Sequence, residues 1–411
     1  MTATHRIAIV GAGIGGLAAA SLLARAGHDV QVFDQFEEPR PIGSGLVIQP
    51  VGQAVLDRCG ALEAARAHGQ PIIAMTGSEV SSGRTVLDVR YDKPGGARHG
   101  LAIHRAALFN ALYGAARKAG ATITASARIT AAPLNGKRWL ANDNARPGLL
   151  EHGPFDLVVD AAGASSCLSP LVARPLPFGA VWGTVPWPEG TSFDRSALVQ
   201  RYHRASRMAG VLPLGRIDSA GPDLAAVFWS LPATALNDWH RQEIPAWKVE
   251  VTSLWPEIAP FLTTLRTAED LTPARYSHGT LRRPFAERLV HIGDAAHRAS
   301  PQLGQGANMA LLDALALAEA VVKGRLTGED PGPIYAQARR WHVRLYQTMS
   351  AAFTPQYQSH SRWLPVLRDR VLMPVSRIPP VPRLLTRLVA GDLIPPLAGH
   401  VFPPRKGPTG R

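Results

Sequence analysis

Cysteine is almost missing from this 411-residue chain, which holds only Cys59 and Cys167. Two thiols so far apart make no disulfide framework, no thiol-rich zinc site, no iron–sulfur cluster and no Cys-x-x-Cys redox pair. A reducing, cytoplasmic setting is the expectation that follows. No run of about 18 uninterrupted apolar residues occurs, so no membrane-spanning helix is expected. Residues 1–6 hold no apolar stretch and no small-residue cleavage pattern, which argues against a signal peptide. The fourteen histidines lack the i, i+4 pairing of a zinc-protease helix, and no metal site is expected. No serine sits in a G-x-S-x-G elbow, which leaves a hydrolase triad without support. Acid is scarce too: 31 Asp+Glu stand against 44 Lys+Arg, a net charge of +13. No helix-turn-helix or RNA-binding signature accompanies that excess, so nucleic acid is not an expected partner.

What the chain does have is apolar mass, 46% hydrophobic against 18% charged residues, enough for two or three cored domains. Arg6-Ile-Ala-Ile-Val10 reads as a buried strand. It leads into Gly11-Ala12-Gly13-Ile14-Gly15-Gly16 and a small-residue helix, Leu17 to Ala26, closed by Gly27. A second strand follows and ends at Asp34, 18 residues after Gly16. In a strand–turn–helix context, Gly-x-Gly-x-x-Gly has a mechanical reading. Gly11 permits the tight turn, Gly13 lets backbone amides approach a pyrophosphate, and Gly16 allows close helix packing. The helix N-terminus adds positive potential, and Asp34 accepts from a ribose diol. This unit alone does not separate FAD from NAD.

A second cluster lies near residue 300. An apolar strand ends in Gly293-Asp294, then Pro301 precedes Gly304-Gln305-Gly306-Ala307-Asn308 and a long Ala/Leu helix, roughly 306–322. With Gly11/Gly13/Gly16, Asp34 and His104-Arg105-x-x-Leu108, the stretch Gly293-Asp294-Ala295-Ala296-His297 through Asn308 resembles the flavoprotein monooxygenases of the para-hydroxybenzoate hydroxylase type. The resemblance spans roughly residues 5–350. It implies an α/β fold: a GxGxxG FAD-binding Rossmann-like domain, an inserted mixed antiparallel-sheet substrate domain and C-terminal helices. It also implies FAD, with Gly11, Gly13, Ile14, Gly15, Gly16, Asp34 and Gln35 at its adenosine and pyrophosphate end. Arg105 belongs near the pyrophosphate, and Gly293 and Asp294 at the ribityl chain. The 303–308 backbone, with Gly304, Gln305, Gly306, Ala307 and Asn308, belongs beside the flavin pyrimidine edge, Pro301 is a further cofactor-binding position, and Gly45 belongs near the isoalloxazine. Gln35 stands where the family often has arginine. The middle motif departs further. In Val158-Val159-Asp160-Ala161-Ala162-Gly163-Ala164-Ser165-Ser166, Ala162 replaces an acid and Ser165 an arginine. Asp160 stands where glycine is usual, and Gly163 is kept. An anionic nicotinamide nucleotide loses a charge-assisted partner there, about 1.5–3 kcal/mol.

The expected organisation is an FAD-binding domain from residues 1–72, 98–177 and 277–360, a substrate domain from 73–97 and 178–276, and a helical extension over 361–411. Residues 53–68 and 104–119 read as single helices, 72–92 as strands about Ser81-Ser82-Gly83, and 121–160 as strands with a turn at Pro147-Gly148. Residues 178–276 read as short strands with one or two helices. Among their aromatics, Trp182, Tyr202, Phe228 and Trp229, with Met208, are candidates for an apolar substrate pocket. Residues 361–411 carry ten prolines and nine basic residues against two acidic ones, and read as short helices with a loose tail after Pro403. A helical cover or a dimer surface is favoured there over a membrane face. The implied activity is insertion of one oxygen atom from O2, through a flavin C4a-hydroperoxide, into a small, mainly apolar aromatic or polycyclic substrate. NAD(P)H is the implied reductant. Two alternatives stay open: an FAD oxidase or dehydrogenase that bypasses NAD(P)H, and a flavin-binding, membrane-associated protein without catalysis.

Overall fold

The computed structural model describes residues 4–37, 43–91, 98–142 and 152–397. The turn read at Pro147-Gly148 and the tail after Pro403 lie outside them. Strand β1, Arg6–Val10, sits inside a six-stranded sheet. Ile7, Ala8 and Ile9 are buried on both faces, as an apolar run without alternation requires. Strand β2, Asp29–Phe33, pairs parallel with one side of β1, and Leu157–Asp160 with the other. Thr122–Thr124 and Leu289–His291 extend the parallel order outward, and Phe285–Ala286 closes one edge antiparallel. Helix α1, Ile14–Arg25, crosses from β1 to β2 and packs on the long helix Gly306–Thr327. Its buried Ala18, Ala19 and Ala20 let the two backbones come close.

The helix expected over 53–68 is two helices, Pro50–Cys59 and Leu62–His68, because Gly60 takes a left-handed φ of +77° and ends the first. The other is one helix, Arg105–Lys118, capped by His104, whose Nδ1 accepts from the Ala106 N–H at 3.1 Å.

The second layer is an eight-stranded sheet. Its order is His297–Arg298, Thr272–Thr280, Arg174–Pro186, Leu224–Pro232, Arg207–Gly215, Ala197–His203, Ala74–Glu79 and Thr85–Arg90. All pairings are antiparallel except Ala197–His203 with Ala74–Glu79. These strands are longer than expected, reaching 13 residues in Arg174–Pro186. Gly179 and Gly183 look like turn punctuation in sequence, yet they serve close approach. A Cβ would meet Ala274 O at 2.3 Å from Gly179 and the Leu271 side chain at 2.9 Å from Gly183. One sheet face is covered by helix Ile244–Leu254 over a core of Trp229, Trp239, Trp247 and Trp255. The other turns Leu212, Leu214 and Ala226 toward the small sheet Gly45–Ile48, Gly100–His104 and Gln70–Ile72. That small sheet joins the two layers.

Helix Pro331–Tyr357, 27 residues long, has no counterpart in the sequence reading. Its prolines obscured it, although Pro331 and Pro333 occupy the first turn, where a missing N–H costs nothing. The remaining chain forms short turns and helices, Leu364–Leu367, Arg368–Leu372, Met373–Ser376 and Val381–Ala390. Among the described residues no helix is long and apolar enough to cross a membrane.

Candidate active site

The three glycines after β1 do different work. At Gly11, with φ +103°, a Cβ would meet Ala161 O at 2.6 Å; at Gly16 it would meet Gly11 O at 2.0 Å. Both positions are closed by backbone packing. A Cβ at Gly13, the N-cap of α1, would meet nothing within 4 Å. Here alone the turn leaves room for a ligand against its amides. Neighbouring Gly15 lies against Ala310 Cβ at 3.3 Å, and Ile14 opens the helix. Half-buried Asp34 is oriented by the same turn: Oδ2 accepts from Ala12 N–H at 2.7 Å and Oδ1 from Phe36 N–H at 3.1 Å. Exposed Gln35 points into solvent beside it. The whole assembly sits at the carboxyl ends of parallel strands, where α/β sheets take their ligands.

The second cluster is tied down by a residue the sequence reading passed over. Buried Asp313 accepts from Gly293 N–H at 2.9 Å, His297 Nε2 at 2.6 Å and Arg339 Nε at 2.7 Å. Burial alone would raise its pKa, but His297 and Arg339 hold it well below the usual carboxylate range. An aspartate set between Leu312 and Ala314 in the apolar stretch of the long helix was the available signal. With Gly293 at φ +59° and held this way, Asp294 is thrust outward.

Asp294 and Arg105 are both exposed, yet both feel the cost of burial, so they line a deep cleft rather than an outer surface. Desolvation raises the Asp294 pKa, opposed by His297 and Arg105. Desolvation lowers that of Arg105, opposed by Asp294 and Tyr276. Tyr276 reaches the cleft from strand Thr272–Thr280, and its hydroxyl accepts from Trp182 Nε1–H at 3.0 Å. Burial pushes its pKa up to about 12, so the phenol keeps its proton to donate. The Trp182 ring in turn lies 4.5 Å from that of Phe228, centroid to centroid.

Between these groups runs the Pro301–Asn308 turn. The Asn308 side chain is used up internally: Oδ1 accepts from Gln49 N–H at 2.8 Å, and Nδ2 donates to Val47 O at 3.2 Å and Gly304 O at 3.0 Å. Gln305 Nε2 donates to Val389 O at 2.6 Å. What this turn can offer a ligand is therefore backbone, with Gly304 at φ +61° and open space at Gly306. Ala307 is half-buried and packs on the core of the parallel sheet. Across the cleft, Ser44 and Thr184 hydroxyls meet at 2.8 Å, and a Cβ at Gly45 would strike Leu214 at 2.1 Å. The loop and the antiparallel sheet are thus in direct contact.

Of the pocket candidates, Phe228, Tyr202 and Met208 share one cluster, with Trp182 packed against it. Trp229 alternates to the opposite face, into the helix-covered core. Tyr202 is fully buried and donates to Gln200 Oε1 at 2.7 Å. Only the Trp182–Tyr276 end of this aromatic group adjoins Arg105. Gly163, at φ +74°, turns the chain after Leu157–Asp160, and Asp160 is sealed beneath it against His291.

Comparison with known proteins agrees with this layout. Residues 4–142 and 196–330 match the family model described as FAD binding domain. A probable 2-heptyl-3-hydroxy-4(1H)-quinolone synthase of Rhodococcus erythropolis, AqdB2, is 30% identical over 77% of this chain and 80% of its own length. The 6-methylpretetramide 4-monooxygenase of Streptomyces rimosus is 26% identical over 94% and 92%. Klebsiella pneumoniae HpxO, solved with FAD and uric acid, shares the fold with a TM-score of 0.74 at 19% identity, over 94% of this chain and 97% of that one. The chain belongs to the FAD-binding family of flavoprotein monooxygenases, the para-hydroxybenzoate hydroxylase class. It is an FAD-dependent oxidoreductase with the α/β architecture expected of that class.

Proposed function

We propose that this enzyme inserts one atom of O2 into a small, mainly apolar aromatic or polycyclic molecule, with NAD(P)H as reductant. The observation that carries the reading is the desolvated cleft where Arg105 and Asp294, from the parallel-sheet layer, meet Tyr276 and Trp182 of the antiparallel sheet. We assign 1–72, 98–177 and 277–360 to the cofactor and 73–97 and 178–276 to the substrate, a division supported by the parallel and antiparallel sheets, although His297–Arg298 pairs with the antiparallel one.

The residues present fit FAD. The open ground over Gly13 and the N-terminus of α1, with Arg105, would hold the pyrophosphate, and Asp34 a ribose diol. Asp294 would take hydroxyls of the ribityl chain. The amides of residues 303–308, at the start of the long helix, favour negative charge on the ring system beside them. Bound FAD supplies the electron transfer and oxygen activation. The chain's own residues position and desolvate: the sheet roof excludes water, and the Tyr276 hydroxyl is a neutral donor for a substrate oxygen. A ring-shaped substrate is supported by the names of the relatives, a quinolone synthase and a pretetramide monooxygenase.

The test is an anaerobic titration of the FAD-loaded enzyme with NADH and NADPH, followed by readmission of isotopically labelled O2 with a 2-alkyl-4-quinolone. Bleaching by the nicotinamide and one labelled oxygen atom in product are expected. Bleaching by the quinolone itself, with no label transferred, overturns the reading in favour of an oxidase or dehydrogenase. The replacement of the family's arginine by Ser165 makes that outcome a real competitor.

A further inference from the structure

Eight of the fourteen exposed large hydrophobic side chains among the described residues fall between positions 363 and 384. Trp363 is 80% exposed and Ile378 59%, with Val371, Val375 and Leu384 among the rest. So dense a cluster is not the scattered apolar exposure of an ordinary surface. Arg362, Arg370, Arg377, Arg383 and Arg387 are exposed in the same segment.

Among the described residues, the acids nearby are already taken. Asp369 accepts from Arg368 Nε at 2.6 Å, and Arg368 itself is buried over the rings of Tyr202 and Tyr357. Asp392 accepts from Arg98 at 2.7 Å. The strand beneath, Thr85–Arg90, holds helix Val381–Ala390 through Thr386 Oγ1, which donates to Arg90 O at 2.7 Å. Its one acid, Asp88, lies 3.3 Å from Arg90. The outward face is left apolar and cationic.

We propose that this face docks on an anionic lipid surface. Apolar side chains, an exposed tryptophan and interspersed arginines are what the bilayer interface selects, with no spanning helix needed. Charge complementarity argues against the other occupants. A second copy would bring five exposed arginines against five more. The chain's own residues 398–411 contain Arg405, Lys406 and Arg411 and no acid, so they do not complement the face either. The sequence alone favoured a helical cover or dimer surface here. The helices do cover the edge strand with one side, and the other side is the one left bare.

The FAD-loaded full chain is to be co-sedimented with vesicles of phosphatidylcholine alone and with about 30 mol% phosphatidylglycerol, at about 50 and about 500 mM salt. Binding to the anionic vesicles, lost at the higher salt, is expected. The double variant Arg377→Glu/Arg383→Glu should lower partitioning at least about tenfold, each basic residue near the surface being worth roughly fivefold. Trp363→Ser/Ile378→Ser should weaken it similarly. Both variants keep their flavin absorbance and thermal midpoint, because neither pair touches the cleft. Equal binding to both vesicle types, binding to neither, or a dimer that Ile378→Ser dissociates would overturn the proposal.

Discussion

The Asp160 carboxylate accepts a hydrogen bond from His291 Nδ1 at 2.7 Å in a place where neither side chain reaches solvent. The same carboxylate accepts from Ser166 Oγ at 2.8 Å and from Ala162 N–H at 3.2 Å. The acid that replaces the family's usual glycine is therefore a fastener of the turn between two parallel strands, with no face left for a nicotinamide. Asp160→Ala strands the His291 donor and the hydroxyl together. At about 1–3 kcal/mol for each buried group left unpaired, a loss of roughly 3 kcal/mol is expected. Chemical denaturation measures it. The NADPH concentration for half-maximal flavin reduction should move less than twofold; a larger change would give Asp160 a role in nicotinamide binding.

Two glycine-to-alanine substitutions, which differ in the space each methyl group would find, separate packing from binding in the first turn. Gly16→Ala puts a Cβ 2.0 Å from Gly11 O, a backbone atom that cannot step aside. Little folded protein is expected. Gly13→Ala meets no protein atom within 4 Å and sits at an ordinary φ of −78°. Its apo thermal midpoint should match that of the parent, whereas its FAD dissociation constant should rise about tenfold or more, because the methyl group occupies the approach to the amides. Unchanged flavin affinity would move the pyrophosphate away from α1.

Arg105 gives a third test. Its guanidinium is desolvated in the cleft and keeps company with Asp294 and Tyr276. Arg105→Met removes a charge-assisted partner of about 1.5–3 kcal/mol, and FAD binding should weaken roughly 10- to 100-fold by flavin fluorescence titration. Tyr276→Phe should leave that affinity alone, since the Tyr276 hydroxyl, held by the Trp182 N–H, is assigned to the substrate and not to FAD, and should raise the half-saturating substrate concentration. A flavin affinity that follows Tyr276 rather than Arg105 would reverse the two assignments.

How far these features could be read in advance depended on how local they are. The Gly11/Gly13/Gly16 and Gly304/Gly306 turns need particular backbone conformations, so their residues announce themselves whatever packs around them. Asp313 and Arg339 lie 26 positions apart on two helices, and no periodicity says that those helices meet through their polar residues. The Asn308 side chain is held by strand Gly45–Ile48 and by Gln49, a contact between distant segments that no local pattern shows. Trp229 could have been separated from Phe228 by the two-residue alternation of a strand. The glycines and prolines scattered through residues 174–232 hid how long those strands are. Tyr276 carried no local signal, because its importance comes from the neighbours Trp182 and Arg105.

His342 is buried, its Nε2–H donating to Gly391 O at 2.9 Å while Nδ1 accepts from Arg339 at 3.2 Å. Burial, then the Arg339 charge, lowers its pKa from 6.5 to about 3. The ring must stay neutral in the folded chain. Because the folded pKa lies below the unfolded one, stability is fully present above 6.5 and declines as pH falls from there toward 3. At pH 5 the unfolded state alone gains a proton, worth about 2 kcal/mol on the usual logarithmic scale. His342→Gln keeps a donor and an acceptor but cannot titrate. Its stability is lower at neutral pH, yet its loss between pH 7 and 5 should be smaller than the parent's by that amount. Denaturant unfolding at the two pH values measures the difference, and parallel losses in both proteins would show that His342 carries no part of the acid sensitivity.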